Sequence, residues 1–374
     1  MFDFTLPSLG ADMDEGTLLE WKVKPGDVVH KGQVVAIVDT SKAAVDVEIW
    51  QDGTVFELLI APGEKIPVGT VLATLLEPGE KAEAARARKA RAAPAPKASE
   101  AGRLRISPAA RKRAEALGVD VARLAGSGPG GAVTLADVEA AAAATPATTA
   151  PADRNVEMRR AIAAAMSRSK REIPHYYLLE TIPMARAQQW LAQANEGRPI
   201  TGRLLMAVLQ LKAVAAALTN YPEMNGFFRD GRFEPVAAAH IGIAISLRQG
   251  GLIAPALHDV GKKPLDQLMR ELTDLVKRTR AGSLRSSEMA DPTITVTNLG
   301  DQGVESVMGV IYPPQVALVG FGRIVPRPWV ENDGIAVMPT VVASLAADHR
   351  VSDGHRGGLF LAELRERLQR PQEL

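Results

Sequence analysis

The chain has no cysteine among its 374 residues. Disulfides, thiolate metal sites and a cysteine nucleophile are therefore excluded, and a reducing compartment is the simpler setting. Charge of one sign is also missing: 44 Lys and Arg oppose 43 Asp and Glu, for a net charge of +1. No overall polarity draws the chain to nucleic acid. Long apolar runs are absent too. The most apolar stretch, MAVLQLKAVAAAL, is broken by Lys212 and reads as too short for a bilayer. The opening MFDFTLPSLG has neither the basic flank nor the apolar core of a signal peptide. These absences predict a soluble, cytoplasmic protein with no membrane and no nucleic-acid partner. A hydrophobic content of 46% still supports a large core, and the length suggests two or three domains.

Residues 1–77 are rich in β-branched residues punctuated by Gly and Pro, the pattern of short strands and turns. They also contain an internal repeat. GTLLEWKVKPGD from Gly16 aligns with GTVFELLIAPGE from Gly53, and Gly26 with Gly63, Gly32 with Gly69 and Glu20 with Glu57 follow at the same spacing. Two copies that cannot bury an apolar face singly predict two small sheets packed face to face about a pseudo-twofold axis. Lys42 stands in the segment joining the copies, in VDTSKAAVDVE, ahead of an alternating run through Val45, Val47 and Ile49. It is either a solvated turn lysine or one presented for modification.

Composition changes after Glu77. Residues 78–103 hold no large apolar side chain and read as a linker, whose ~26 residues span roughly 25–30 Å as a flexible chain. Basic residues concentrate over 81–113, but no aromatic is present for base stacking, so a solvated linker or a protein-docking surface is favoured. In 104–141, Ser107-Pro108 opens one short helix, Gly118 can end it, and Thr134 with Asp137 opens a second. The GSGPGG loop between them follows no strand, which argues against a nucleotide site. Residues 142–153 form a second linker.

Residues 154–374 alternate helix and strand patterns, an α/β domain. Helices are expected over 204–219, 263–282 (closed by Gly282) and 355–369, and strands over 240–247, 293–300 and 341 onward. The sharpest local signal is ADHRVSDGH, where His349 directly follows a buried strand. Taken alone, His349 is a structural histidine or a general base, and His349, Asp353 and His355 are a weaker metal-site alternative.

Three segments resemble known domains. The 37-residue repeat around Asp39-Thr40-Ser41-Lys42-Ala43 is similar to the all-β lipoyl domain of the 2-oxo-acid dehydrogenase complexes, with Ser41 where that family often has aspartate. The resemblance implies lipoic acid in amide linkage to Lys42; biotin carriers share the fold but flank their lysine with methionine. The two-helix segment resembles the peripheral-subunit-binding domain, implying that Arg111 helps dock dihydrolipoamide dehydrogenase or the 2-oxo-acid decarboxylase. Where that domain often reads GPGGR, this chain has Ala132.

DHRVSDG matches the DHRxxDG signature of the dihydrolipoamide acyltransferase core, which shares the chloramphenicol-acetyltransferase fold. MRRAIAAAM, IPHYYLLE, TITVTNLG and PPQVALVGFGRI extend that likeness over nearly the whole chain, with a weak stretch at 183–203. It implies acyl transfer between a lipoyl thiol and coenzyme A, with an acetyl group of a pyruvate or acetoin system favoured. His349 would act as base and Thr297 as oxyanion donor. Asp353 would hold the architecture through an ion pair, with Arg350 one candidate partner, and residues 302–312 would shape the acyl pocket. It further implies a site shared between subunits of a trimer or larger cage. The alternatives are a lipoylated, non-catalytic scaffold and a branched-chain acyltransferase.

Overall fold

The structure is a computed structural model that describes residues 1–8, 13, 15–40, 44–77, 154–247, 251–331 and 333–374. Between these it describes positions 110, 114, 128, 132–135, 137 and 138. The chain forms two compact units, residues 1–82 with 154–374, and residues 83–153.

In the smaller unit, Ala110, Ala114, Val133 and Val138 make a small buried cluster. The Thr134 and Asp137 side chains cap reciprocally: Asp137 Oδ2 accepts the Thr134 N–H at 2.8 Å, and Thr134 Oγ1 accepts the Asp137 N–H at 3.4 Å. Gly128 N–H donates to the Ala132 carbonyl. Ser107, Pro108, Arg111 and Gly118 lie outside the described residues, as do both linkers.

In the larger unit, the first 77 residues give β1 (Phe2–Thr5), β2 (Glu15–Trp21), β3 (Val28–Val29), β4 (Val34–Asp39), β5 (Ala44–Glu48), β6 (Gly53–Leu58), β7 (Lys65–Pro67) and β8 (Val71–Leu76). They form two sheets, ordered β1-β8-β6-β3 and β5-β4-β2-β7. Leu18, Val29, Val38, Val45, Val47 and Leu72 are fully buried between them. The sequence repeat is a structural repeat down to single bonds. Gly26 N–H donates to Val55 O and its equivalent Gly63 N–H to Leu18 O, each at 2.7 Å. Both glycines are left-handed, at φ 99° and 90°, where a Cβ would be strained. Each copy also carries a register shift at the same place, between Leu18 and Glu20 and between Val55 and Glu57.

Residues 154–374 give α1 (Arg154–Glu172), β9 (His175–Pro183), α2 (Ala185–Ala194), α3 (Met206–Leu218), β10 (Gly226–Arg229), β11 (Arg232–Pro235), β12 (Ile241–Ile243), β13 (Ile245–Ser246), β14 (Leu252–Ile253) and β15 (Ala256–Leu257). They continue with α4 (Leu265–Ala281), β16 (Ser283–Arg285), α5 (Ser286–Ala290), β17 (Ile294–Asn298), β18 (Ala317–Phe321), β19 (Val325–Glu331), β20 (Gly334–Asp348) and α6 (Gly354–Gln369). The main sheet runs β15-β12-β17-β18-β20, with β12, β17 and β18 parallel. The first half of the long β20 pairs with β19; its second half lies between β18 and β9.

The central strand β18, ALVGF, reads as a continuous apolar run and is buried along its whole length. Helices α3, α4 and α6 supply one cover, through Val214, Leu218, Leu268, Leu272, Leu275 and Leu364 among others. Gly282 ends α4 in the left-handed conformation, φ 72°. The stretch Ile200–Leu218 meets the length and apolarity of a membrane span. It is not one continuous α-helix, however: Arg203 and Leu205 are extended, and α3 itself starts at Met206 and buries Val208, Leu211 and Val214 in the core.

One junction was not expected from a freely tethered small domain. β5 pairs in parallel with β16, Ser283 opposite Ala44 and Arg285 opposite Asp46, extending the first domain's sheet by one strand.

Candidate active site

The DHRVSDG turn is built on a buried charge. Asp348, the last residue of β20, is 0% exposed. A lone buried carboxylate would cost several kcal/mol, and here it is fully engaged. Arg350 donates from Nε at 2.9 Å to Oδ1 and from Nη2 at 2.6 Å to Oδ2, and its backbone N–H donates to Oδ1 at 2.9 Å. The guanidinium also lies 4.0 Å over the Phe228 ring. These contacts fix the two residues flanking His349. His349 donates its own backbone N–H to Pro174 O at 3.0 Å, its side chain is exposed, and the Tyr176 ring meets it edge-on at 5.5 Å. Tyr176 is tied to the same turn through a 2.8 Å hydroxyl contact with Ser352.

Arg350, one candidate partner for Asp353, does not pair with it. Arg350 belongs to Asp348, and Asp353 caps α6, with its carboxylate accepting the Arg356 N–H at 3.0 Å. Its extended backbone, φ −132° and ψ 177°, is the N-cap geometry. The backbone donor of Arg356, with smaller help from the N–H of His355, holds the Asp353 carboxyl below its ordinary value. The ion pair sits one residue before the histidine, where the sequence analysis placed no role.

Thr297, half-buried on β17, lies opposite Gly320 of β18, and Gly320 lies opposite Ser344 of β20. The turn after it is held by Asn298, whose Nδ2 donates to the buried Gln210 and whose Oδ1 accepts the Gly300 N–H. His349 stands five residues beyond Ser344, just past the end of β20. At about 3.4 Å per residue and 4.8 Å per strand, Thr297 and His349 of one chain are roughly 20 Å apart. A single chain does not bring them together.

A second histidine, in the IPHYYLLE segment, is also fully engaged. His175, opposite Asp348 on β9, uses both ring nitrogens: Nδ1–H donates to Ile173 O at 2.8 Å and Nε2 accepts the Ile311 N–H at 3.1 Å. Ser169 Oγ donates to Ile311 O at 2.6 Å, so the end of the 302–312 segment is clamped from two sides. This pattern requires neutral His175. Burial is the main cause that lowers its pKa below 6.5, and nearby Lys170 and Arg350 push the same way against the Ile173 carbonyl and Asp348. The unfolded chain therefore takes up this proton before the folded chain does. The stabilisation by His175 is whole above about pH 6.5 and is lost as pH falls toward the lower folded value. Thermal melts of the wild type should drop more steeply from about pH 7 to 5.5 than those of His175→Gln, which has no such proton to take up.

Beside the turn, Phe227, Phe228, Tyr312, Gln315 and Arg350 line a cavity of about 650 Å³. Gln315 is oriented by the Thr295 hydroxyl at 2.7 Å. Lys42, Ser41 and Arg111 lie outside the described residues. The strands flanking Lys42 are closed by the Asp39–Ala44 pair, so only residues 40–43 connect them. Among the described residues no group of three or more His, Asp or Glu could hold a metal ion.

Residues 150–374 match the family model of the 2-oxoacid dehydrogenases acyltransferase (catalytic domain), residues 3–75 that described as biotin-requiring enzyme, and residues 104–139 the e3 binding domain. The chain is 30% identical over 429 residues to the dihydrolipoyllysine-residue acetyltransferase component of the pyruvate dehydrogenase complex of Zymomonas mobilis, covering 98% of this chain and 97% of the relative. It is 30% identical over 392 residues to the corresponding component of the acetoin cleaving system of Bacillus subtilis, covering 99% and 98%. Among solved structures, a probable dihydrolipoamide acetyltransferase from Listeria monocytogenes aligns with a TM-score of 0.54 at 30% identity, over 57% of this chain and 92% of that one.

Proposed function

This chain belongs to the 2-oxoacid dehydrogenase acyltransferases, and from that premise we propose that it moves an acetyl group between a lipoyl group on Lys42 and coenzyme A, with His349 as the base. The observation that carries this reading is the exposed His349 on a turn fixed by the buried Asp348–Arg350 pair.

When bound, the lipoyl group supplies a thiol that exchanges with the thioester of an acyl-coenzyme A. His349 removes the proton from the attacking thiol as the new sulfur–carbon bond forms. Thr297 donates its hydroxyl to the oxyanion of the tetrahedral intermediate. As the carbon–sulfur bond to coenzyme A breaks, His349 returns the proton to the departing sulfur. Asp353 keeps the turn in place by capping α6 rather than by moving protons. The reverse direction uses the same groups.

The separation of Thr297 from His349 makes the working unit an assembly, a homotrimer or a larger core built from it, in which one copy's histidine meets another's threonine. Lys42 suits a covalent arm because a four-residue connection between paired strands holds it. The domain at 104–139, with Arg111, would dock dihydrolipoamide dehydrogenase or the 2-oxo-acid decarboxylase. We place the protein in the cytoplasm.

Intact-mass measurement of protein made with lipoate available should show the added lipoyl mass, absent from Lys42→Arg. A panel of acetyl-, propionyl-, isobutyryl- and succinyl-coenzyme A with free dihydrolipoamide should show the acetyl donor fastest. No transfer from any donor would sink the proposal.

A further inference from the structure

The junction between β5 and β16 is more specific than two domains lying side by side. Among the described residues β5 is the sole strand partner of β16, so the catalytic domain carries an extended segment with no partner of its own. Leu284 in its centre is 0% exposed, packed into the catalytic core, which pins the segment in place. Exposed strand edges of this kind accept an added strand.

The turn that follows reads the end of β5. Ser286 Oγ accepts the Glu48 N–H at 3.0 Å. Ser287 Oγ donates to the Glu48 carboxylate at 2.6 Å, and its backbone N–H approaches the same oxygen at 3.4 Å. The serines are held ready. Glu288, buried beneath them, accepts from both terminal guanidinium nitrogens of Arg278 at 2.6 Å and from the Arg285 N–H at 2.8 Å. Met289 packs against both cores. Backbone pairing, one charged contact and one shared apolar side chain make a small interface, suited to repeated release.

Its position bears on the chemistry. β5 starts two residues after Lys42. Met289 and Pro292, which follow the Ser286–Ser287 turn in the chain, and Ser8 of the small domain line the same cavity as Arg350 and Gln315.

We propose that β16 and the Ser286–Ser287 turn are a docking strip that receives the lipoyl domain by parallel strand addition along β5 and presents the lipoyl lysine to the cavity beside Arg350. This rests on the reading that Lys42 carries the lipoyl group.

The test uses full-length lipoylated protein and the variants Glu48→Ala and Ser287→Ala. Each should raise amide hydrogen exchange in the segment across the junction, 283–287 for Glu48→Ala and 44–48 for Ser287→Ala. Each should slow acetylation of the chain's own dihydrolipoyl lysine by acetyl-coenzyme A about tenfold, the scale of a hydrogen bond to a charged group. Turnover with free dihydrolipoamide should be unchanged, which also verifies that the variants fold. Wild-type exchange and wild-type self-acetylation in both variants would overturn the strip, and faster self-acetylation would overturn its role in presentation. Absence of turnover with free dihydrolipoamide in the wild type would instead strike the proposed function.

Discussion

Replacing His349 with alanine should lower transfer from acetyl-coenzyme A to free dihydrolipoamide about a thousandfold, the scale of a lost general base. At neutral pH most of an unassisted thiol is protonated and a poor nucleophile. The fold should survive the change. His349 is exposed, and the one hydrogen bond that anchors it comes from its backbone. Assembly measured by sedimentation should therefore match wild type. Thr297→Ala should cost about a hundredfold through the lost oxyanion donor. On the proposal that the two groups act from different copies, refolding an equal mixture of the two inactive chains should restore about a quarter of the wild-type sites. No restoration in mixed assemblies would place both groups in one chain and contradict the strand register that separates them.

The second large effect is on stability. Arg350→Ala leaves the Asp348 carboxylate buried at 0% exposure without its guanidinium, a change that costs about 3–5 kcal/mol. Denaturant unfolding of the catalytic domain should show it as an early transition. Adding Asp348→Asn removes the stranded charge, so the double variant should recover part of the loss. Equal stability of the single and double variants would mean that the pair is not the source. Activity should fall in both, since the turn that presents His349 is drawn tight by this pair.

Much of the architecture was legible in the sequence because it depends on local signals. The equal spacing of Gly26 and Gly63 required the same strained turn twice, and both are left-handed. Gly282 announced the end of α4 for the same reason. The ion pair of the candidate site was not legible. Asp348 and Arg350 are two residues apart, a spacing that places side chains on the same face of a strand but says nothing once the chain turns. Asp353 attracted attention as a partner for Arg350, although an acidic residue just ahead of a helix is first of all an N-cap. His175 was hidden because both its bonds are to backbone, from Ile173 and Ile311, and the second contact is 136 residues away. The strand pairing of β5 with β16 depends on an edge that is unpartnered only in three dimensions.

The strand order of the small domain also decides how it bears load. Its outgoing chain leaves from the end of β8, and β8 is not an edge: β1 is bonded along one side and β6 along the other. Any pull transmitted through the linker is met by two ladders at once, one of them closing the N-terminus against Leu75. The chain thus leaves this domain from a strand braced on both sides and not from a peelable rim.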